Sequence, residues 1–234
     1  MNKKIFILHG WTYTTKAWDR LVELLRSAGY EPVQLKVPGL TADSHKPWDL
    51  DSYVEWLREE LRAEKDVTLI GHSNGGRISI AYAARPDANI SRLILIDAAG
   101  VVHNEVGLRL KRAVFGALAK AGRPLRSLPL VRTAFYKLIG ARDYGAAPAH
   151  MRETMAKLIR EDLVPIMPRI TAPTLIIWGD KDTATPLSDA GIIHAEIKGS
   201  KLVVIDGCGH SPHATHPERV SQEVVSWLDA RRTC

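Results

Sequence analysis

The chain has 234 residues, 45% of them hydrophobic and 25% charged, which are values of a folded globular protein and argue against disorder. That length buries one sizeable core and is short for two independent domains. The net charge of +6 comes with no apolar stretch long enough to span a membrane, and Ile5–Leu8 after the basic Met1-Asn2-Lys3-Lys4 is too short for a signal-peptide core. Two cysteines, Cys208 and Cys234, make neither a disulfide framework nor a metal-ligand spacing, so a reducing, cytoplasmic setting is expected.

In chain order, Lys4–Leu8 reads as a buried strand ending at His9-Gly10. Thr14 or Thr15 can cap a helix with Ala17, Leu21, Leu24, Leu25 and Ala28 on one face, stopped at Gly29. Residues 32–37 form a second strand, closed by Pro38-Gly39. Asp49 or Asp51 can cap the next helix, whose apolar face is Tyr53, Val54, Leu57 and Leu61. Val67–Ile70 feeds into Gly71-His72-Ser73-Asn74-Gly75, and an amphipathic run from Arg77 to Ala84 follows. That is strand, very tight turn, helix. Residues 93–96 are another strand, ending at Asp97. Strands resume at Pro173–Trp178 and Lys201–Ile205, with a helix between them to about Glu196, and a last helix spans about Pro217 to Ala230. Strands alternating with helices, without hairpin signals, predict an α/β fold. Its mostly parallel sheet of about six strands would carry helices on both faces. The rhythm breaks between Val101 and Pro165, which holds helical patterns only. The expected division is therefore a core of residues 1–100 and 166–234 with a helical insertion at 101–165.

Gly-x-Ser-x-Gly between a strand and a helix lifts a serine hydroxyl to the carboxyl edge of a sheet. A serine is a poor nucleophile at neutral pH, so it needs a histidine to take its proton and a carboxylate to orient that histidine. These should follow later strands. His210 in Asp206-Gly207-Cys208-Gly209-His210 is the expected base, and Asp182 in Gly179-Asp180-Lys181-Asp182 leads as the acid. Asp97 and Asp180 are the alternatives, with Asp180 read mainly as a turn former. The expected oxyanion donors are the backbone amides of Asn74 and Trp11. His9 and His72 are read as structural, His213 and His216 as capping or surface groups, and Cys208 as a small buried filler.

The insertion holds twelve basic residues (Arg109, Lys111, Arg112, Lys120, Arg123, Arg126, Arg132, Lys137, Arg142, Arg152, Lys157, Arg160) against five acids (Glu105, Asp143, Glu153, Glu161, Asp162). It therefore carries +7 and the remainder −1 of the total of +6. No aromatic interleaving or nucleic-acid motif accompanies this charge, which excludes DNA or RNA binding as the reading. It either forms a solvated helical face or steers anionic substrates and an acidic partner such as an acyl carrier protein. Between the basic positions the segment is apolar, so Phe115, Phe135, Met151 and Met155, with the Trp11 side chain, are the expected lining of an acyl pocket.

Together His9-Gly10, Pro38-Gly39, Gly71-His72-Ser73-Asn74-Gly75-Gly76, Pro173-Thr174-Leu175, Gly179-x-x-Asp182 and Gly209-His210 resemble the α/β-hydrolase superfamily over essentially the whole chain. The resemblance implies no cofactor, an acyl-enzyme intermediate, and the 101–165 insertion acting as a lid. His9-Gly10-Trp11 is similar to the pimeloyl-carrier-protein methyl ester esterases, and the general layout to the carbon–carbon bond hydrolases. A serine at position 73, where haloalkane dehalogenases and epoxide hydrolases carry aspartate, argues against those activities. The expected function is a serine esterase working through Ser73, His210 and Asp182 on a small ester with an apolar part. The alternatives are a carbon–carbon hydrolase and a ligand receptor of low turnover.

Overall fold

The structure is a computed structural model that describes residues 3–103 and 147–230. Phe115, Phe135 and nine of the twelve basic positions of the insertion lie outside the described residues. The described chain runs β1 (Lys4–Leu8), a 3-10 turn (Lys16–Trp18), α1 (Asp19–Ser27), β2 (Glu31–Gln34), α2 (Leu50–Leu61), β3 (Thr68–His72), α3 (Asn74–Ala83) and β4 (Arg92–Ile96). After the undescribed stretch come α4 (Ala149–Leu158), a 3-10 segment (Val164–Arg169), β5 (Thr174–Gly179), α5 (Leu187–Glu196), β6 (Lys201–Ile205), the short α6 (Pro212–Thr215) and α7 (Pro217–Ala230). Among the described residues no helix is long and apolar enough to cross a membrane.

The six strands form one sheet in the order β2-β1-β3-β4-β5-β6, parallel throughout. The strands are apolar on both sides, and the side chains divide by parity. Ile5, Ile7, Ile70, Ile94, Ile96, Leu175 and Ile177 pack under α1 and α7 with Trp18, Leu21, Val220 and Val224. Phe6, Leu8, Leu69, Leu93, Leu95, Ile176 and Trp178 face the opposite way, against α2, α3 and α5. Each fully buried side chain of this size stabilises the fold by about 1.5–3 kcal/mol before conformational entropy is counted. Covering both faces leaves only the strand ends for chemistry. The carboxyl ends of β1, β3, β4 and β5 are brought side by side by the pairings Leu8↔Gly71, His72↔Ile96 and Ile96↔Ile177.

The structure sharpens three local expectations. The strand expected over residues 32–37 is β2 through Gln34, with the Leu35 amide still donating to Ile7 O at 3.0 Å; beyond it the Val37 carbonyl accepts from Leu40, Thr41 and Ala42 and turns the chain. Asp49, and not Asp51, caps α2 by accepting from the Ser52 amide. Of the two threonines before the 3-10 turn, Thr14 Oγ1 accepts from the Lys16 amide at 3.3 Å, while Thr15 makes no side-chain cap bond.

Candidate active site

The turn after β3 is tightly packed, with Ser79 Oγ and the Gly75 and Gly76 backbone where a Cβ on Gly71 would go. Ser73 has φ 52° and ψ −119°, a strained backbone held by three hydrogen bonds. Its amide donates to Ile96 O at 3.2 Å, and its carbonyl accepts from Arg77 at 3.1 Å and Ala99 at 2.9 Å. Close approach requires glycine on both sides. A Cβ on Gly75 would meet the Leu8 carbonyl and the His9 carbonyl, the latter at 2.6 Å. On Gly10 it would meet His72 Nδ1 at 2.9 Å and Ser73 Cβ at 3.0 Å.

This turn presents Ser73 Oγ 2.9 Å from His210 Nε2, and His210 Nδ1 lies 2.7 Å from Asp182 Oδ2. With Nδ1–H donating to the carboxylate, Nε2 is left to accept the serine proton. Asp182 also accepts from the amides of Ala184 (2.7 Å) and Thr185 (3.0 Å) and from Thr185 Oγ1 (2.7 Å). Burial would raise this carboxyl, but the His210 ring and the Thr185 donors hold it below the ordinary carboxylate range.

The other two aspartates are occupied differently. Asp97 has no exposure, sits at φ 42°, and accepts from the Gly179 amide at 2.9 Å. Burial pushes its pKa up to about 8, and its Oδ2 has no partner among the described residues. Asp180 pairs with Lys181 at 2.9 Å and accepts from the Cys208 amide, closing the two loops onto each other. Neither shares a hydrogen bond with the His210 ring; Asp182 does.

The expected oxyanion amides, Trp11 and Asn74, lie on the loop after β1 and at the first position of α3, where helix N–H groups lack intrahelical acceptors. Both residues line a cavity of about 480 Å³ that also contains Ser73 and His210. The acyl-pocket expectations divide. Trp11 and Met155 line the cavity, whereas Met151, one turn earlier on α4, has no exposure and packs against Gly39 in the core. The helical phase of α4 decides which methionine faces the cavity, and the sequence pattern left that phase open.

The remaining histidines are structural in geometry. His72 Nε2 donates to the His210 carbonyl at 2.8 Å, tying the residue before Ser73 to the loop that carries His210. His9 Nδ1 donates to Gly10 O, and its Nε2 accepts from Thr41 Oγ1. His213, expected as a capping or surface group, is instead 3% exposed and stacked on Trp18 at 4.0 Å, and burial lowers its pKa to about 3. His216 is half-buried and bonds Thr215. Cys208 is buried, and burial raises its thiol pKa. His72, Asp97 and His210 offer donor atoms within 4.8 Å of one another. Those of His210 are committed to Ser73 and Asp182, and His72 Nε2 to a carbonyl, so the set does not read as an open metal centre.

Sequence reasoning missed four residues. Thr185 holds Asp182, and its only sequence signal is an Asp-x-x-Thr turn. Arg77, 5% exposed, lines the cavity and donates to the Glu161 carbonyl at 2.6 Å, pinning the end of the insertion to α3. Burial lowers its pKa to about 10, which leaves it cationic at neutral pH. His103 and Asp189, 86 residues apart, meet in the cavity wall at 2.6 Å, and no local pattern announces that contact.

A parallel sheet with a Gly-x-Ser-x-Gly turn after β3 and loops bearing Asp182 and His210 after β5 and β6 has the layout of an α/β-hydrolase. Residues 5–223 match the sequence model of the Alpha/beta hydrolase family, and the chain belongs to that family. An uncharacterized protein of Mycobacterium tuberculosis is 26% identical over 258 residues, which is 96% of this chain and 75% of that protein. A pimeloyl-acyl-carrier-protein methyl ester esterase of Neisseria meningitidis is 25% identical over 92% of this chain and 90% of its own. Among solved structures, a bacterial membrane phospholipase A superposes with a TM-score of 0.75 at 25% identity, covering 100% of this chain and 80% of that one.

Proposed function

We propose that the protein is a serine hydrolase of carboxylic esters that works through an acyl-enzyme. The observation that carries this reading is the unbroken hydrogen-bonded series Ser73 Oγ, His210 Nε2, His210 Nδ1, Asp182 Oδ2 at the mouth of a cavity. His210 takes the Ser73 proton as Oγ attacks the carbonyl, and Asp182 stabilises the imidazolium. The oxyanion is received by the Asn74 and Trp11 amides, each contributing about 3 kcal/mol to the transition state. His210 then protonates the leaving alcohol and activates water to release the acid.

The insertion is the lid of this site, with Met155, Leu158 and Ile159 forming apolar wall. An acyl carrier protein as the acidic partner is supported by the printed name of the Neisseria relative and by the insertion's charge of +7. The cysteine content supports a cytoplasmic setting. The test is hydrolysis of p-nitrophenyl esters from acetate to laurate by wild type and Ser73→Ala. A loss of about 10⁴ or more in kcat is expected. Equal rates for the two proteins would overturn the reading, and turnover of a vinylogous diketone in preference to every ester would reassign it to carbon–carbon hydrolysis.

A further inference from the structure

The cavity contains a second imidazole–carboxylate pair that the ester-cleaving chemistry does not use. His103 sits just beyond β4, and Asp189 lies in the first turn of α5. His103 Nε2 is 2.6 Å from Asp189 Oδ1. The side chain of Asp189 is 5% exposed and that of His103 28%, and both residues line the same cavity as Ser73 and His210. The cavity's apolar lining includes Val101, Val102, Met155, Leu158, Ile159 and Pro186, and its polar lining includes Arg77, Thr183 and Thr185.

We propose that His103, held by Asp189, is a specificity-determining residue that accepts a hydrogen bond from a hydroxyl group on the ester substrate. The inference rests on the hydrolase reading and names the substrate class of that same site, a hydroxylated ester. A carboxylate can only accept, so its bond to Nε2 places the imidazole proton there and leaves Nδ1 with a free lone pair. Among the described residues no donor reaches Nδ1. An acceptor of fixed orientation in the cavity wall costs desolvation when an alkyl chain lies against it. A substrate O–H removes that cost and gains a hydrogen bond, so the pair discriminates between otherwise matched chains. Asp189 touches no substrate in this scheme; it sets the tautomer and direction of His103.

A purely structural role is the competing account, with the pair latching the tail of β4 to α5. The two differ in what they do to a ratio. The experiment measures kcat/KM by pH-stat for methyl alkanoates against the matching methyl hydroxyalkanoates, and for butyl against hydroxybutyl esters. These probe the acyl and the alcohol side, and the proteins compared are wild type, Ser73→Ala, His103→Phe and Asp189→Asn. Wild type should prefer the hydroxylated member of at least one series by about tenfold. That ratio should fall to near one in both His103→Phe and Asp189→Asn. A latch would lower thermal stability and scale both rates together, leaving the ratio intact. Wild type without preference, or variants that keep it, overturns the proposal while a dead Ser73→Ala leaves the hydrolase reading standing. Hydrolysis by Ser73→Ala at the wild-type rate overturns both.

Discussion

Two aspartates lie behind the His210 ring in opposite electrostatic states. Asp182 is surrounded by donors and stays ionised, whereas Asp97 is buried with a single amide for company and reaches a pKa of about 8. Asp182→Asn leaves the shape intact but lets His210 adopt the wrong tautomer, so kcat should fall by about 10³–10⁴. Asp97→Asn should behave otherwise. At neutral pH the native side chain is largely protonated, so asparagine mimics it, keeps an oxygen for the Gly179 amide and tolerates the positive φ. Its activity should stay within about threefold of wild type, a range typical of substitutions outside the reacting groups. Unfolded Asp97 would release its proton near pH 3.9, so wild type carries a cost that grows between that pH and about 8. Asp97→Asn should therefore be more stable by on the order of 3 kcal/mol at pH 8, with the gap closing toward pH 4. Matched loss of activity in the two variants would assign Asp97 a share in the chemistry.

At the scale of elements, the position of Ser73 depends on how closely α3 approaches β1. Gly75 has backbone carbonyls where a methyl group would go, and neither Leu8 nor His9 can withdraw without opening the sheet. Gly75→Ala should cost about 3 kcal/mol or more, read as a lower urea midpoint. Gly191, in the middle of α5, has nothing within 4 Å of the same added atom. Gly191→Ala should stabilise by about 0.8–1 kcal/mol, through helix propensity alone. The contrast separates glycine kept for close approach from glycine that is merely tolerated. Equal responses at both sites would mean that α3 is free to retreat from β1.

Over the whole molecule, buried groups of opposite sign shape the pH dependence of stability. His72 and His213 are buried neutral beside Trp18, with pKa values lowered by burial, well below the ordinary value for His72 and to about 3 for His213. Between about pH 4 and 6.5 the unfolded chain binds protons that these rings refuse, so stability rises with pH. From about 6.5 to 8 these histidines are neutral in both states and Asp97 still binds a proton in the native fold, so stability falls. Each group contributes about 1.4 kcal/mol per pH unit within its window. Thermal melts should peak near pH 6.5, and Asp97→Asn should level the alkaline fall and steepen the acid-side rise, the two proteins converging toward pH 4. A monotonic rise through pH 8 in wild type would show that Asp97 is ionised in the native state.

How much of this was legible in advance follows from the range of the interactions. The alternating apolar strands, the Ser73 turn and the loops bearing Asp182 and His210 were readable because each is encoded within about ten residues. Parallel pairing then has few ways to arrange them. Tertiary closure alone decided the rest. The burial of His213 depends on Trp18 from the far end of the chain, and the choice of Met155 over Met151 on the rotation of α4 against the sheet. The states of Asp97 and Asp182 depend on which loops deliver donors to them, and the His103–Asp189 pair on two segments 86 residues apart. Sequence by itself determined the α/β class, the order of the motifs along the chain and the loops on which Ser73, Asp182 and His210 lie, since local periodicity and turn chemistry suffice for those. Packing determined how each side chain is solvated and which partner it meets, because desolvation and hydrogen-bond geometry are properties of neighbours that the chain supplies only once it has folded.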